Sequence, residues 1–169
     1  PRTNMDNQIP IYDVIVVGAG LSGIGAAYHL QHECSNKTFV VLEGRDTIGG
    51  TWDLFRYPGI RSDSDMFTLG FPFSPWENPK AIADGPAILQ YIKHTAAKFG
   101  IDKKIQYNSK VTDANWSDIE KMWTVTLATH QNISSTTLKC KFLMMCSGYY
   151  NFDNGYLPVF AGYNDFKGK

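Results

Sequence analysis

Apolar positions along the chain change period several times, and each change predicts an element. Val14 to Val17 is an unbroken β-branched run, the pattern of a strand buried on both faces of a parallel sheet. After three closely spaced glycines, Ala26, Ala27, Tyr28 and Leu30 continue a helix, and Thr38 to Leu42 reads as a second strand. The stretch from Gly49 to Asp63 mixes rings, arginines and glycines with no period, so neither a regular helix nor a strand is expected there. Phe71 to Pro79 holds three prolines, which excludes a central strand. Asp84 can cap a helix with Pro86 in its first turn; Ile88, Leu89, Tyr91, Ile92, Ala96 and Phe99 follow at helical spacing, and Gly100 is a stop. That helix reads as packing support. Beyond Lys104, Ile105, Tyr107, Val111 and Ala114 to Trp116 precede a polar turn at Ser117 to Lys121. Trp123, Val125 and Leu127 then alternate with polar residues, predicting a hairpin with one buried face. Leu138 to Cys146 reads as a strand returning to the parallel sheet.

The chemistry starts where the first strand ends. Gly18, Gly20 and Gly23 stand at G-x-G-x-x-G spacing between a predicted strand and a predicted helix. Such a turn lets backbone approach a pyrophosphate, and the free amides near Leu21 and Ser22 would point at it. Glu43 follows Gly23 by 20 residues at the end of the second strand, where a carboxylate binds ribose hydroxyls. It would repel a 2′-phosphate, so FAD or NAD is expected at this site rather than NADP.

The Gly49–Asp63 loop suits a flavin. Gly49 and Gly50 allow close backbone approach, Thr51 offers a hydroxyl and an amide, and Trp52 offers a flat apolar face with one donor. An aromatic loop packed on its own domain has the same composition, so these residues alone leave both readings open. Charge narrows the partners: 16 basic residues balance 16 acidic ones, which points to no nucleic acid or anionic membrane surface. No apolar stretch is long enough for a transmembrane span. Cys34, Cys140 and Cys146 are an odd, widely spaced set that fits reduced thiols in the cytoplasm, and the four histidines are not clustered at metal-ligand spacing, so no metal site is expected. Cys146 ends an apolar run without a basic neighbour and reads as an inert thiol. Residues 1–10 read as a flexible polar tail, and 11–169 as one domain.

Gly49 to Asp63 fits A/G-G-x-W-x-x-x-x-F/Y-P-G-x-x-x-D at every fixed position, and so resembles the flavin-proximal signature of Baeyer–Villiger monooxygenases. From Tyr12 onward the chain is similar to the N-terminal part of the bacterial ethionamide-activating type within that family. The run Gly50 to Gly70 is particularly close to that subgroup. The resemblance implies an α/β fold: a Rossmann-like FAD-binding domain with a parallel sheet and helices, plus a small antiparallel meander, glutathione-reductase-like and incomplete at its C-terminus. It implies that Gly18, Gly20, Ser22 and Gly23 surround the FAD pyrophosphate and that Glu43 holds the adenosine ribose. Gly50, Thr51, Trp52 and Asp53 would lie along the flavin end, and the backbone of Val111 at the adenine. Arg61, Ser62 and Asp63 would face the flavin and the nicotinamide of NADPH. Asp63 is the catalytic candidate, since the matching aspartate in the family supports an active-site arginine from a later part of the protein.

The implied parent reaction uses NADPH to reduce FAD and O2 to form a C4a-peroxyflavin. That species oxidises a small-molecule ketone (the Baeyer–Villiger reaction) or a soft sulfur or nitrogen atom. Phe166 and Gly168 fit the first positions of a further family fingerprint, F-x-G-x-x-x-H-x-x-x-W-P, whose histidine and tryptophan do not occur before Lys169. The chain is therefore expected to be the first segment of a longer enzyme, without the NADPH domain, binding FAD weakly and not turning over by itself. A sheet edge left uncovered would favour self-association. The alternatives are an N- or S-oxygenating flavin-containing monooxygenase, which shares the glycine turn and the Cys-Ser-Gly segment, or a non-catalytic dinucleotide-binding module.

Overall fold

Because Val14, Ile15, Val16 and Val17 are apolar on alternating sides, the first strand can be buried from both faces, and it takes the middle of the sheet. The computed structural model describes residues 9–129 and 136–168; of the expected tail, residues 1–8 lie outside it, as do His130 and Lys169. Strand β1 (Ile11–Val17) pairs in parallel with β2 (Phe39–Leu42) on one side and with β6 (Thr136–Met145) on the other. The sheet has six strands in the order β3-β2-β1-β6-β5-β4, with β3 at Ile105–Gln106, β4 at Ser109–Ser117 and β5 at Met122–Thr129. β3 is parallel to β2, whereas β4, β5 and the first half of β6 form an antiparallel meander.

The ten-residue β6 joins the two parts: Thr136–Cys140 pair antiparallel with β5, and Lys139 to Met145 pair parallel with β1. The parallel strands and the meander are thus one continuous mixed sheet. The expected hairpin is present, but Ile105 belongs to the parallel part, where it pairs with Val41, rather than to the strand carrying Val111.

Helix α1 (Leu21–Glu33) and helix α4 (Gly85–Lys98) cover one face, where Val14, Val16 and Val41 meet Ile24, Ala27, Leu30, Ile88, Ile92 and Ala96. The meander covers the other face, placing Val125, Leu127, Leu138 and Cys140 against Ile15, Val17, Val40 and Leu42. Helix α4 starts as its sequence predicts, with Asp84 accepting from Ala87 N at 2.9 Å and proline in the first turn. The proline-rich segment runs beneath α4 and is stapled there. Tyr91 Oη donates to Ser74 O at 2.6 Å and accepts from Phe71 N at 2.7 Å. Burial pushes the Tyr91 phenol above its usual range.

One expectation is corrected between Gly49 and Leu69. The loop carries a short helix, α2 (Thr51–Leu54), followed by α3 (Met66–Leu69). Asp65 caps α3 through a 2.9 Å bond from Thr68 N. Single helical turns leave no 3.6-residue period for sequence patterning to detect.

Candidate functional site

The site is built where β1, β2 and β6 end together. Gly23 lies so close beneath the turn that a Cβ on it would come 1.9 Å from Gly18 O, and one on Gly18 would come 2.5 Å from Cys146 O. Helix α1 therefore sits directly against the strand ends. Gly20 is its N-cap and provides no side-chain cap, and no acidic residue stands in the first turn. The 13-residue helix thus presents first-turn amides without side-chain partners, with Ser22 exposed among them. These are the donors, and the dipole end, that an anionic group requires.

A second glycine turn docks on the first. Gly49 N donates to Ala19 O at 3.0 Å, and a Cβ on Gly50 would approach Gly20 Cα to 3.1 Å. Gly50 has φ +53°, so the close approach and the left-handed backbone both call for glycine. It is followed at once by α2, which carries Thr51 and Trp52, both half-buried; Trp52 packs against the helix-side core.

Glu43 is buried at 7% exposure. Its Oε2 accepts from Ala19 N at 2.9 Å and its Oε1 from Arg45 N at 3.0 Å, so the acid closes onto the glycine turn itself. Asp53, 5% exposed, accepts from Arg45 Nη1 at 2.8 Å and from Arg56 Nη2 at 3.2 Å. Both arginines escaped the sequence reading. The only hint was a basic residue two positions after the strand-end acid, and loop spacing does not reveal which acid a guanidinium will meet.

The remaining candidates are placed differently. Ser62 is buried, its Oγ accepting from Ala83 N at 3.1 Å, so its side chain is used within the loop. Arg61 forms an isolated antiparallel bridge with Asp84 and lines a shallow depression together with Ile60, Lys80 and Ile82. Asp63 is exposed. Its charge reaches Tyr150, whose phenol is pushed up first by the hydroxyl of Tyr149 and then, more weakly, by Asp63. Val111 lies in β4 opposite Leu127, beside an irregularity in the ladder between Val111 and Asp113. Burial raises the Cys146 thiol, in line with an unreactive cysteine. Among the described residues, no cluster of three or more metal-ligating side chains occurs, and no helix is long and apolar enough to cross a membrane.

The NAD(P)-binding Rossmann-like domain family matches residues 16–84, the segment that holds both glycine turns. FAD-containing monooxygenase EthA of Mycobacterium tuberculosis is 58% identical over 156 residues, 92% of this chain and 32% of that protein. Over this span the chain is similar to the FAD-containing monooxygenases. It spans about a third of the length of the curated relatives it matches. Among solved structures, an oxidized steroid monooxygenase bound to NADP superposes with a TM-score of 0.76 at 30% identity, covering 91% of this chain and 29% of that one. OTEMO in complex with FAD and NADP superposes with a TM-score of 0.73 at 28% identity, covering 96% of this chain and 30% of that one. These solved structures share the Rossmann-like fold, and they hold NADP in the one case and FAD with NADP in the other.

Proposed function

We propose that this chain is the FAD-binding part of an NADPH- and O2-dependent monooxygenase that oxidises small-molecule ketones, or soft sulfur and nitrogen atoms. The observation that carries the proposal is the uncapped start of α1, framed by Gly18, Gly20 and Gly23 and faced by Gly50. In this reading the amides around Ser22 take the pyrophosphate, and Glu43 adds ribose hydroxyls to the two bonds it already accepts, since each carboxylate oxygen has a second lone pair. Thr51, Trp52 and Asp53 order the flavin end. Arg61, Ser62 and Asp63 shape the edge nearest the nicotinamide, and the Val111 backbone borders the adenine. Asp63 positions a cationic partner at the reacting edge.

Bound FAD supplies the redox chemistry and the reactivity toward O2. This chain's residues hold it, orient it and keep water from one side of it. The free thiols of Cys34, Cys140 and Cys146 support a cytoplasmic location. Titration of the purified chain with FAD, followed by flavin fluorescence, tests the reading. Weak, saturable binding without NADPH oxidation is expected from these residues alone, and the absence of saturable binding overturns it. Product analysis on ketone and thioether substrates, using an enzyme of the length of the relatives that carries this sequence, separates Baeyer–Villiger chemistry from S-oxygenation. A flavin spectrum with no oxidation of any substrate in that longer enzyme selects a non-catalytic binding module instead.

A further inference from the structure

Two buried carboxylates flank the glycine turn, and one guanidinium reaches both. Arg45 Nη1 donates to Asp53 Oδ2 at 2.8 Å, its Nη2 donates to Gly50 O at 3.2 Å, and its Nε stands 3.9 Å from Glu43 Oε1. The three contacts use three different nitrogens of one guanidinium, a set that a rigid fork of donors satisfies and a single ammonium does not. Arg56 also pairs with Asp53 at 3.2 Å, but its side chain is 75% exposed against 32% for Arg45, so water weakens its contribution.

This placement matters because of what is adjacent. Glu43 is bonded to the amide of Ala19 inside the glycine turn, and Gly50 lies against Gly20. An anion arriving at the turn meets both acids at short range in a poorly solvated corner. Without a cation, that corner repels it.

We propose that Arg45 is a positioning residue of the FAD site. It offsets the charge of Asp53 beside Glu43 and ties Gly50 down on Gly20, so that an anionic pyrophosphate can approach the turn. The inference rests on the reading that this chain binds FAD.

The test measures FAD affinity by fluorescence titration together with the urea midpoint of the FAD-free protein, for the wild type, Arg45→Gln, Arg45→Lys and the double variant Arg45→Gln/Asp53→Asn. Arg45→Gln is expected to weaken FAD binding roughly tenfold or more, because it leaves Asp53 with only its exposed partner. The double variant, lacking the uncompensated carboxylate, is expected to bind FAD more tightly than Arg45→Gln but less tightly than the wild type, because Asp53 also orders the flavin end. Arg45→Lys, which keeps the charge and the fold but cannot span all three contacts, is expected to fall between the wild type and Arg45→Gln.

A purely structural arginine would lower the urea midpoint without rescue of FAD affinity by Asp53→Asn. Unchanged affinity in Arg45→Gln, or a double variant no tighter than Arg45→Gln, overturns the proposal. If Arg45→Gln does not fold, wild-type affinity in Arg45→Lys overturns it and weakened affinity supports it. A wild-type chain that takes no FAD overturns the parent reading instead, so the two failures are told apart.

Discussion

The two ends of the candidate site are built on opposite principles. At the glycine-turn end, strand ends, α1 and the second glycine turn are in backbone contact, and Glu43, Arg45 and Asp53 satisfy one another. Beyond Cys146 the chain leaves the sheet and exposes large apolar side chains: Tyr156 is 91% exposed, Val159 fully exposed and Phe160 and Phe166 mostly so. Asp63 and Tyr150 face this second end. The first end is preorganised, so little ordering has to accompany the binding of an anion there. The second has the composition of an interface, because it exposes many large apolar side chains within one short stretch of chain.

The largest expected effect comes from breaking the preorganised end. Gly23→Ala places a methyl group 1.9 Å from a backbone oxygen that cannot move without displacing β1. A loss of about 3 kcal/mol or more in urea unfolding, with loss of FAD binding, is expected. Wild-type stability in this variant would show that the turn is looser than its contacts imply.

Tyr91→Phe tests whether the loop beneath α4 is held as firmly as the glycine turn. It strips partners from Phe71 N and Ser74 O and is expected to cost about 1–3 kcal/mol. Under 0.5 kcal/mol, roughly the noise of a surface substitution, would place that loop with the loose end.

A smaller effect concerns acid. Hydrogen bonds from Lys141, and then from Thr38, hold the Asp13 carboxyl well below the usual carboxylate range. A folded-state value depressed below the unfolded one means that the contribution is complete above the ordinary carboxylate pKa, about 4, and is lost as pH falls through and below it. Asp13→Asn should therefore lower stability between pH 6 and 8, where the contribution is complete, and flatten the decline below about pH 4, where the wild type loses it. An unchanged acid limb would show that Asp13 does not tie β1 to β2 and β6.

The smallest effect on folding is expected at the apolar end. We propose that the self-association expected from an uncovered sheet edge also draws on this apolar surface, so Tyr156→Ser/Val159→Ser should leave the urea midpoint unchanged but reduce that association, read by light scattering at rising concentration. A wild-type chain that stays monomeric throughout removes self-association from the account.

Much of the preorganised end was legible in the sequence, because its parts are local. β1 needs only its apolar run, the turn its three glycines, α4 its Asp84 cap, and the β4–β5 hairpin its alternation and polar turn. Family resemblance added the Gly49–Asp63 loop. The short α2 and α3 escaped because one helical turn has no period, and Ile105 was read with the wrong strand because a two-residue pairing leaves almost no pattern.

The sequence by itself thus determined the longer strands and helices, the hairpin and the place of the three-glycine turn, since hydrophobic period and glycine spacing act between near neighbours. Tertiary structure alone decided that β6 fuses the meander to the parallel strands and that Gly50 lands on Gly20. It also decided that Ser62 is used up on Ala83 and that Arg45, rather than any other cation, stands between Glu43 and Asp53. Those outcomes depend on how separate segments dock. Docking is fixed by shape and by the need to pair every buried polar group, neither of which is written in local spacing.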